Sequence, residues 1–237
     1  MAIARWKDLC LDASDAHRLA RFWGAILGLE VELHDDGDAS LRGATPEQTI
    51  WVNAVPEPKT VKHRVHLDVE VASLQPLLDA GATMAVPAEE SEFRWTVLAD
   101  PDGGELCAFV RDGQPPDPPA RLYELAVDTV DAASAHAQAE WWAGVWGGRV
   151  VDDDRGFSWL EAVPGMPFAS VDFVPVPEPK SAKNRVHWDI TCDDVAALVE
   201  RGATVLAEPT AATPWHVLTD PEGNELCAFP SAPTGDG

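Results

Sequence analysis

The sequence predicts an α+β protein in which one βαβββ unit is used four times, twice in each half of the chain. Three observations carry this. VPEPKTVKHRVHLD at 55–68 returns as VPEPKSAKNRVHWD at 176–189, an offset of 121 residues between His66 and His187. LADPDGGELCAF at 98–109 returns as LTDPEGNELCAF at 218–229, and Phe22, Trp23 and Gly28 align with Trp141, Trp142 and Gly147. Hydrophobic periodicity then gives strand, helix and three strands in the same order each time. Self-similarity of this kind fixes an architecture before any single residue is interpreted.

Each element has its own signal. Trp6 to Ala13 alternates as a strand, after which Ser14 or Asp15 caps a helix with Leu19, Trp23 and Ile26 on one face and Gly28 as its stop. Strands are expected at 31–34, 39–42 and 49–55. After the VPEPK turn come a strand at 64–71, a short helix at 73–80 ended by Gly81, and strands at 82–86, 95–99 and 105–110. The second half repeats the plan, with a strand at 122–127, a helix through Trp141 and Trp142, strands to Val176, a strand at 185–191, a helix at 193–201 and strands to Phe229. From Asp15 to Trp23 is 8 positions and from Asp131 to Trp142 is 11, so the later helix region gains about one turn.

At 237 residues the chain fits two domains of ordinary size, divided here as 1–112 and 120–232, with a Pro-rich linker at 113–119 and a tail at 233–237. Four cysteines without CxxC spacing, no signal peptide and no membrane-length apolar run predict a cytoplasmic protein with reduced thiols. With 17 Lys and Arg against 40 Asp and Glu, the net charge of −23 argues against nucleic acid and anionic membranes and favours cationic solutes, unless it serves solubility alone. No P-loop, GxGxxG or GxSxG is present.

Paired βαβββ units, a histidine in RVHxD and a closing ELC strand after DPxG resemble the vicinal oxygen chelate superfamily, and within it the glyoxalase and bleomycin-resistance type. The resemblance implies tandem glyoxalase-like domains, a fused pseudo-dimer of cup-shaped mixed sheets, with units pairing within a half or exchanging between halves. It also implies metal ligands from the first strand, the RVHxD strand and the last strand: Asp8, His66 and Cys107 in one half, Glu124, His187 and Cys227 in the other. Catalytic relatives typically carry His, His and Glu there. A carboxylate, an imidazole and a thiol disfavour dioxygenase chemistry and remain acceptable to Zn²⁺.

Strand periodicity places Arg64, His66 and Asp68 on one face, and likewise Glu105, Cys107 and Phe109. Arg185, His187 and Asp189 repeat the first set, and Glu225, Cys227 and Phe229 the second. Neighbouring strands would let Arg64 pair with Glu105 and Arg185 with Glu225, leaving His66, His187, Glu105 and Glu225 as candidate acids and bases. The plainer alternative is a self-satisfied polar network. Of the ten tryptophans, Trp23, Trp95, Trp142 and Trp215 match between halves and suit core or cup walls; Trp6, Trp51, Trp146, Trp159 and Trp188 do not, and Trp51 and Asn53 join the candidate ligand contacts. The expected function is binding of a hydrophobic or cationic small molecule without a cofactor. The alternative is a lyase or isomerase using a divalent metal such as Zn²⁺. The assembly is expected to be a monomer or a homodimer.

Overall fold

A computed structural model describes residues 2–90 and 95–231. The first unit comprises β1 (Ala4–Ala13), α1 (Ala16–Leu27), β2 (Glu30–Leu33), β3 (Ala39–Arg42) and β4 (Ile50–Ala54). The second comprises β5 (Val65–Val71), α2 (Gln75–Asp79), β6 (Thr83–Val86), β7 (Thr96–Ala99) and β8 (Glu105–Val110). The third comprises β9 (Ala120–Thr129), α3 (Ala132–Trp146), β10 (Arg149–Asp152), β11 (Ser158–Glu161) and β12 (Ser170–Pro175). The fourth comprises β13 (Val186–Cys192), α4 (Val195–Glu200), β14 (Thr204–Ala207), β15 (His216–Thr219) and β16 (Glu225–Pro230).

The units form two eight-stranded mixed sheets, and each sheet takes one unit from each half. The first sheet runs β14-β15-β16-β13-β1-β4-β3-β2, and the second β10-β11-β12-β9-β5-β8-β7-β6. The central seams are antiparallel, β1 against β13 and β5 against β9. Exchange between halves is therefore the arrangement adopted, and the sequence division at 113–119 does not separate the sheets. The tail at 233–237 lies outside the described residues.

Local chemistry explains the element ends. Asp15 accepts from the Arg18 amide and Asp131 from the Ser134 amide, satisfying orphan N–H groups at the starts of α1 and α3. Gly28 stops α1 at φ 66°, a left-handed conformation that a side chain would strain. The added turn lies inside α3, which has 15 residues against 12 in α1. In each DPxG turn one carboxylate gathers the amides that follow it. Asp100 accepts from Asp102 and Gly104, and Asp220 from Glu222 and Asn224, with Gly103 and Gly223 both at φ 84°.

One face of each sheet packs against the helices and the other carries the polar residues. Leu9, Leu11 and Ala13 of β1 and the even positions of β13 point to the helices, where Trp142 and Trp146 of α3 stack at 3.9 Å and Trp188 meets Trp142 edge-on at 5.2 Å. All three rings are buried, and Trp6 and Phe168 extend the cluster. Trp6, Trp146 and Trp188 are thus core residues. Among the described unmatched set, Trp51 and Trp159 lie on the polar faces instead.

Candidate functional site

The antiparallel seams decide which residues meet. On the polar face of the first sheet, Asp8 stands opposite Asp189 and Cys10 opposite His187, with Trp51 beside Cys10 on β4 and Cys227 beside Asp189 on β16. On that of the second, Asp68 stands opposite Glu124 and beside Cys107, and His66 is opposite Ala126, which neighbours Asp172. Each first-strand carboxylate therefore joins the histidine of the other half. The sets become Asp8, His187 and Cys227 in one cup and Glu124, His66 and Cys107 in the other, and the half-by-half grouping is corrected accordingly.

Three donors converge in each cup. His66, Asp68 and Cys107 place ligand atoms within 4.8 Å of one another, as do Cys10, His187 and Asp189. His66 Nδ1 lies 2.7 Å from Asp68 Oδ1 and 4.0 Å from Cys107 Sγ. Cys10 Sγ lies 3.6 Å from Asp189 Oδ1. Imidazole, carboxylate and thiol suit Zn²⁺, so the residues fit the metal that the resemblance implies.

The cups differ in how their charge is met. A β-bulge interrupts each central seam at the same place, between Trp6 and Asp8 on β1 and between Leu122 and Glu124 on β9. The inserted residue is Lys7 in one and Tyr123 in the other. Lys7 Nζ is 2.5 Å from Asp8 and 3.8 Å from Asp189, so the first cup holds its own cation. Tyr123 cannot supply one. Among the described residues, no Lys or Arg forms an ion pair with Asp68, Glu124 or Asp172.

The second cup answers by holding protons. Burial, followed by the charges of Asp172 and Asp68, pushes Glu124 up to about 8. Burial and Asp68 raise Asp172 to about 7 against a lowering bond from Ser170. Burial alone would deprotonate His66, yet Asp68 and Cys107 together raise it well above the ordinary imidazole range. In the first cup burial and Asp8 lift Asp189 to about 8, while burial lowers His187, whose Nδ1 is buried without a partner. Burial also keeps Cys227 a thiol, pushed up to about 12.

Aromatic rings border both clusters. Phe109 packs on Trp95 at 5.2 Å and on Tyr123 at 5.4 Å, and Trp159 pairs with Asp172 across β11 and β12. In the first cup Phe229 packs on Trp215 at 5.1 Å with Lys7 over its face, and Trp51 donates to Asp8 at 3.3 Å while stacking on His34. Trp51 and Asp172 hold corresponding places, so one cup is aromatic where the other is acidic.

A family profile described as the glyoxalase-like domain matches residues 8–109 and 127–229. The chain belongs to the glyoxalase-like domain family. Glyoxalase I from Zea mays superposes with a TM-score of 0.64 at 14% identity, covering 96% of this chain and 92% of that one. A putative dioxygenase from Bacillus subtilis subsp. subtilis str. 168 gives 0.64 at 12% identity, covering 99% and 88%. The cppA protein from Streptococcus pneumoniae TIGR4 gives 0.50 at 13%, covering 98% and 100%. At such identities these structures share the fold alone. No curated protein matches the chain. No helix among the described residues is long and apolar enough to cross a membrane.

Several expected contacts of the glyoxalase-like site fall elsewhere. Glu105 binds Lys59 at 2.7 Å and the His63 amide at 3.0 Å, and Glu225 binds Lys180 at 2.8 Å and the Asn184 amide at 3.1 Å. Both carboxylates are consumed in anchoring the VPEPK turns, and neither meets its expected arginine. Arg64 and Arg185 reach across to the opposite turn, donating to the carbonyls of Glu178 and Glu57. Asn53 binds Asp12 on the sheet that carries His187, away from the cup of His66. His34 and His63 are site-proximal and not plain surface residues; burial lowers His63 to about 4. Cys10, Asp172, Lys7 and Tyr123 escaped sequence reasoning. A period of two from Asp8 points to Cys10, but the bulges that turn Lys7 and Tyr123 inward leave no sequence mark.

Proposed function

We propose that this glyoxalase-like protein binds a hydrophobic, cationic small molecule in the cup of His66, Asp68, Glu124 and Asp172. The observation that carries the reading is the bulge pair: Lys7 supplies an ammonium to the carboxylates of one cup, whereas Tyr123 supplies none to the other, where His66 pairs with Asp68 and, among the described residues, Glu124 and Asp172 pair with no Lys or Arg. Phe109, Tyr123 and Trp159 supply rings on which an organic cation gains cation–π attraction, beside the carboxyl groups of Asp68, Glu124 and Asp172. Arg111 is engaged by Glu70 and lies over Phe109 and Tyr123, at the cluster's edge.

The test is calorimetric titration with benzyltrimethylammonium as a cationic aromatic probe. One molecule per chain should bind, weakening about tenfold or more in Trp159→Ala or Glu124→Gln and hardly at all in Asp8→Asn. Equal affinity in all three variants would end this reading.

A second reading rests on the convergence of His66, Asp68 and Cys107, which would hold a divalent metal such as Zn²⁺. Such an ion would polarise a carbonyl oxygen, as a lyase or isomerase of small carbonyl compounds requires. Glu124, titrating near 8, is suited to take and return a proton beside it. Metal content by mass spectrometry, abolished by His66→Ala and by Cys107→Ser, separates this reading from the first; turnover retained in His66→Ala would defeat it.

A further inference from the structure

A cavity lies outside both cups, where the two copies of the repeated VPEPK stretch face each other. It measures about 740 Å³, within the range of small-molecule sites, and both copies contribute to it: Val55, Pro56 and Lys62 from one, Pro179, Ala182 and Lys183 from the other. Its apolar wall is open to solvent. Val61, which also lines it, is 44% exposed, an uncovered branched side chain in a loop where nothing in the fold needs one.

The charged groups are arranged in depth. Lys62 is paired with Asp128 and Lys183 with Asp12 at 2.5 Å. The carboxylates lie beneath, with 4% and 7% of their side chains exposed, while the ammonium groups above them are 50% and 63% exposed. Asp12, Asp128, Glu57 and Glu178 also line the cavity, but each ammonium has three donors and spends one on its aspartate, so N–H donors stand above the two buried carboxylates. Arg64 and Arg185 also line it, their terminal nitrogens already engaged: Arg64 donates to the carbonyls of Glu178 and Asp128, and Arg185 to the Glu57 carbonyl and the Asp102 carboxylate. Glu57 and Glu178 are exposed residues whose carbonyls, not their carboxylates, serve those arginines.

We propose that this cavity is a second binding site, distinct from the cups, for an organic dianion: an apolar body carrying two carboxylate, sulfonate or phosphate groups, one for Lys62 and one for Lys183. The pairing follows from the repeat. Two copies of one stretch, related by the internal two-fold, present the same donor twice, so two anionic ends are satisfied where one would leave a lysine idle. The overall charge of −23 opposes any anion at long range. The local donors and the apolar wall must outweigh it, which selects a ligand with a sizeable apolar body over a bare inorganic ion.

The test uses the aromatic disulfonate bis-ANS and its monoanionic half, ANS, followed by fluorescence and by equilibrium dialysis for stoichiometry. One bis-ANS per chain should bind, about tenfold or more tighter than ANS. Lys62→Gln and Lys183→Gln, whose amides still cover Asp128 and Asp12, should each weaken it about tenfold, the loss of one charge-assisted hydrogen bond. Ala182→Trp, a substitution at an exposed lining position, should abolish binding by filling the cavity with the circular dichroism spectrum unchanged. Trp159→Ala, in the cup, should leave bis-ANS affinity as it was, so failure here and failure of the cup reading are separate results. Equal affinity for ANS and bis-ANS, binding that survives Ala182→Trp, loss in Trp159→Ala, or no binding at all would each overturn the proposal.

Discussion

Arg64 and Arg185 exchange places across the internal two-fold, each donating to the main chain of the other's VPEPK turn. Arg185 binds Glu57 O at 2.7 Å and Asp102 Oδ2 at 2.9 Å; Arg64 binds the carbonyls of Glu178 and Asp128. The best-preserved stretch of the repeat is thus a strap between halves. Both guanidinium Nε atoms are buried without a partner, a cost the strap carries twice.

Arg185→Ala leaves Asp102, with 12% of its side chain exposed, without its cation and the Glu57 carbonyl without its donor. A loss of about 3 kcal/mol in urea unfolding is expected, the usual cost of breaking a largely buried ion pair. Arg185→Lys should recover only part of it, because an ammonium does not reproduce the two-armed contact. A loss below about 0.5 kcal/mol would show that the strap is dispensable.

Stability should fall as pH rises through the neutral range. Glu124, at about 8, and Asp172, at about 7, are raised above their unfolded values, so the folded chain holds more protons than the unfolded one from about pH 4 upward. Their penalty is absent below that window and complete above about pH 8. His66, raised by Asp68 and Cys107, acts in the same direction: its contribution is full below about pH 6.5 and is lost above its folded value. Chemical unfolding measured from pH 5 to 9 should show the decline, and Glu124→Gln should flatten it. A curve rising with pH would contradict the proton-holding cluster.

Tyr123→Lys should convert one cup into the other. An ammonium at this bulge would stand beside Glu124 as Lys7 stands beside Asp8, and it would draw Glu124 and Asp172 down from their raised values. The pH dependence should shrink and benzyltrimethylammonium affinity should drop about tenfold or more. Affinity unchanged in this variant would separate binding from the charge of the cup.

Zn²⁺ added to the protein should raise its melting temperature more at pH 8 than at pH 6, because binding must displace protons from His66 and Cys107. Proton release is measurable with a pH indicator at low buffer concentration. His66→Ala should remove both effects. Their survival would place any metal elsewhere.

Much of the fold was legible because each element carries its own punctuation. Asp15, Gly28, Asp131 and the DPxG turns mark ends that no tertiary contact needs to specify, and the repeat supplied the module count. The partnership between modules was not legible. β1 has the same alternation whether β5 or β13 lies beside it, so the sequence could place Asp8 and His66 on polar faces without saying that they belong to different sheets. Glu105 and Arg64 show a second limit: a shared strand face suggested a pair, but Lys59 and Lys180, four residues after the start of each repeat, reach the carboxylates first. The internal cation of one cup was hidden for a third reason. A bulge is a property of the pairing, and it alone turns Lys7 inward.

The crossing of the sheets also sets the order of events during synthesis. β1 is a central strand whose partner β13 begins 173 residues after β1 ends, as Ala13 and Val186 mark. The first unit therefore leaves the ribosome with one flank of its main strand unpaired and keeps it so until the last quarter of the chain has emerged. β5 waits only for β9, beginning 49 residues beyond Val71 at Ala120. The inner pair of units can assemble while the outer pair is still incomplete, and long-range closure of this kind is slow and exposed to wrong partners. A second nascent chain offers the same complementary edge, so the unpaired flank of β1 is the place where a swapped pairing between chains would form.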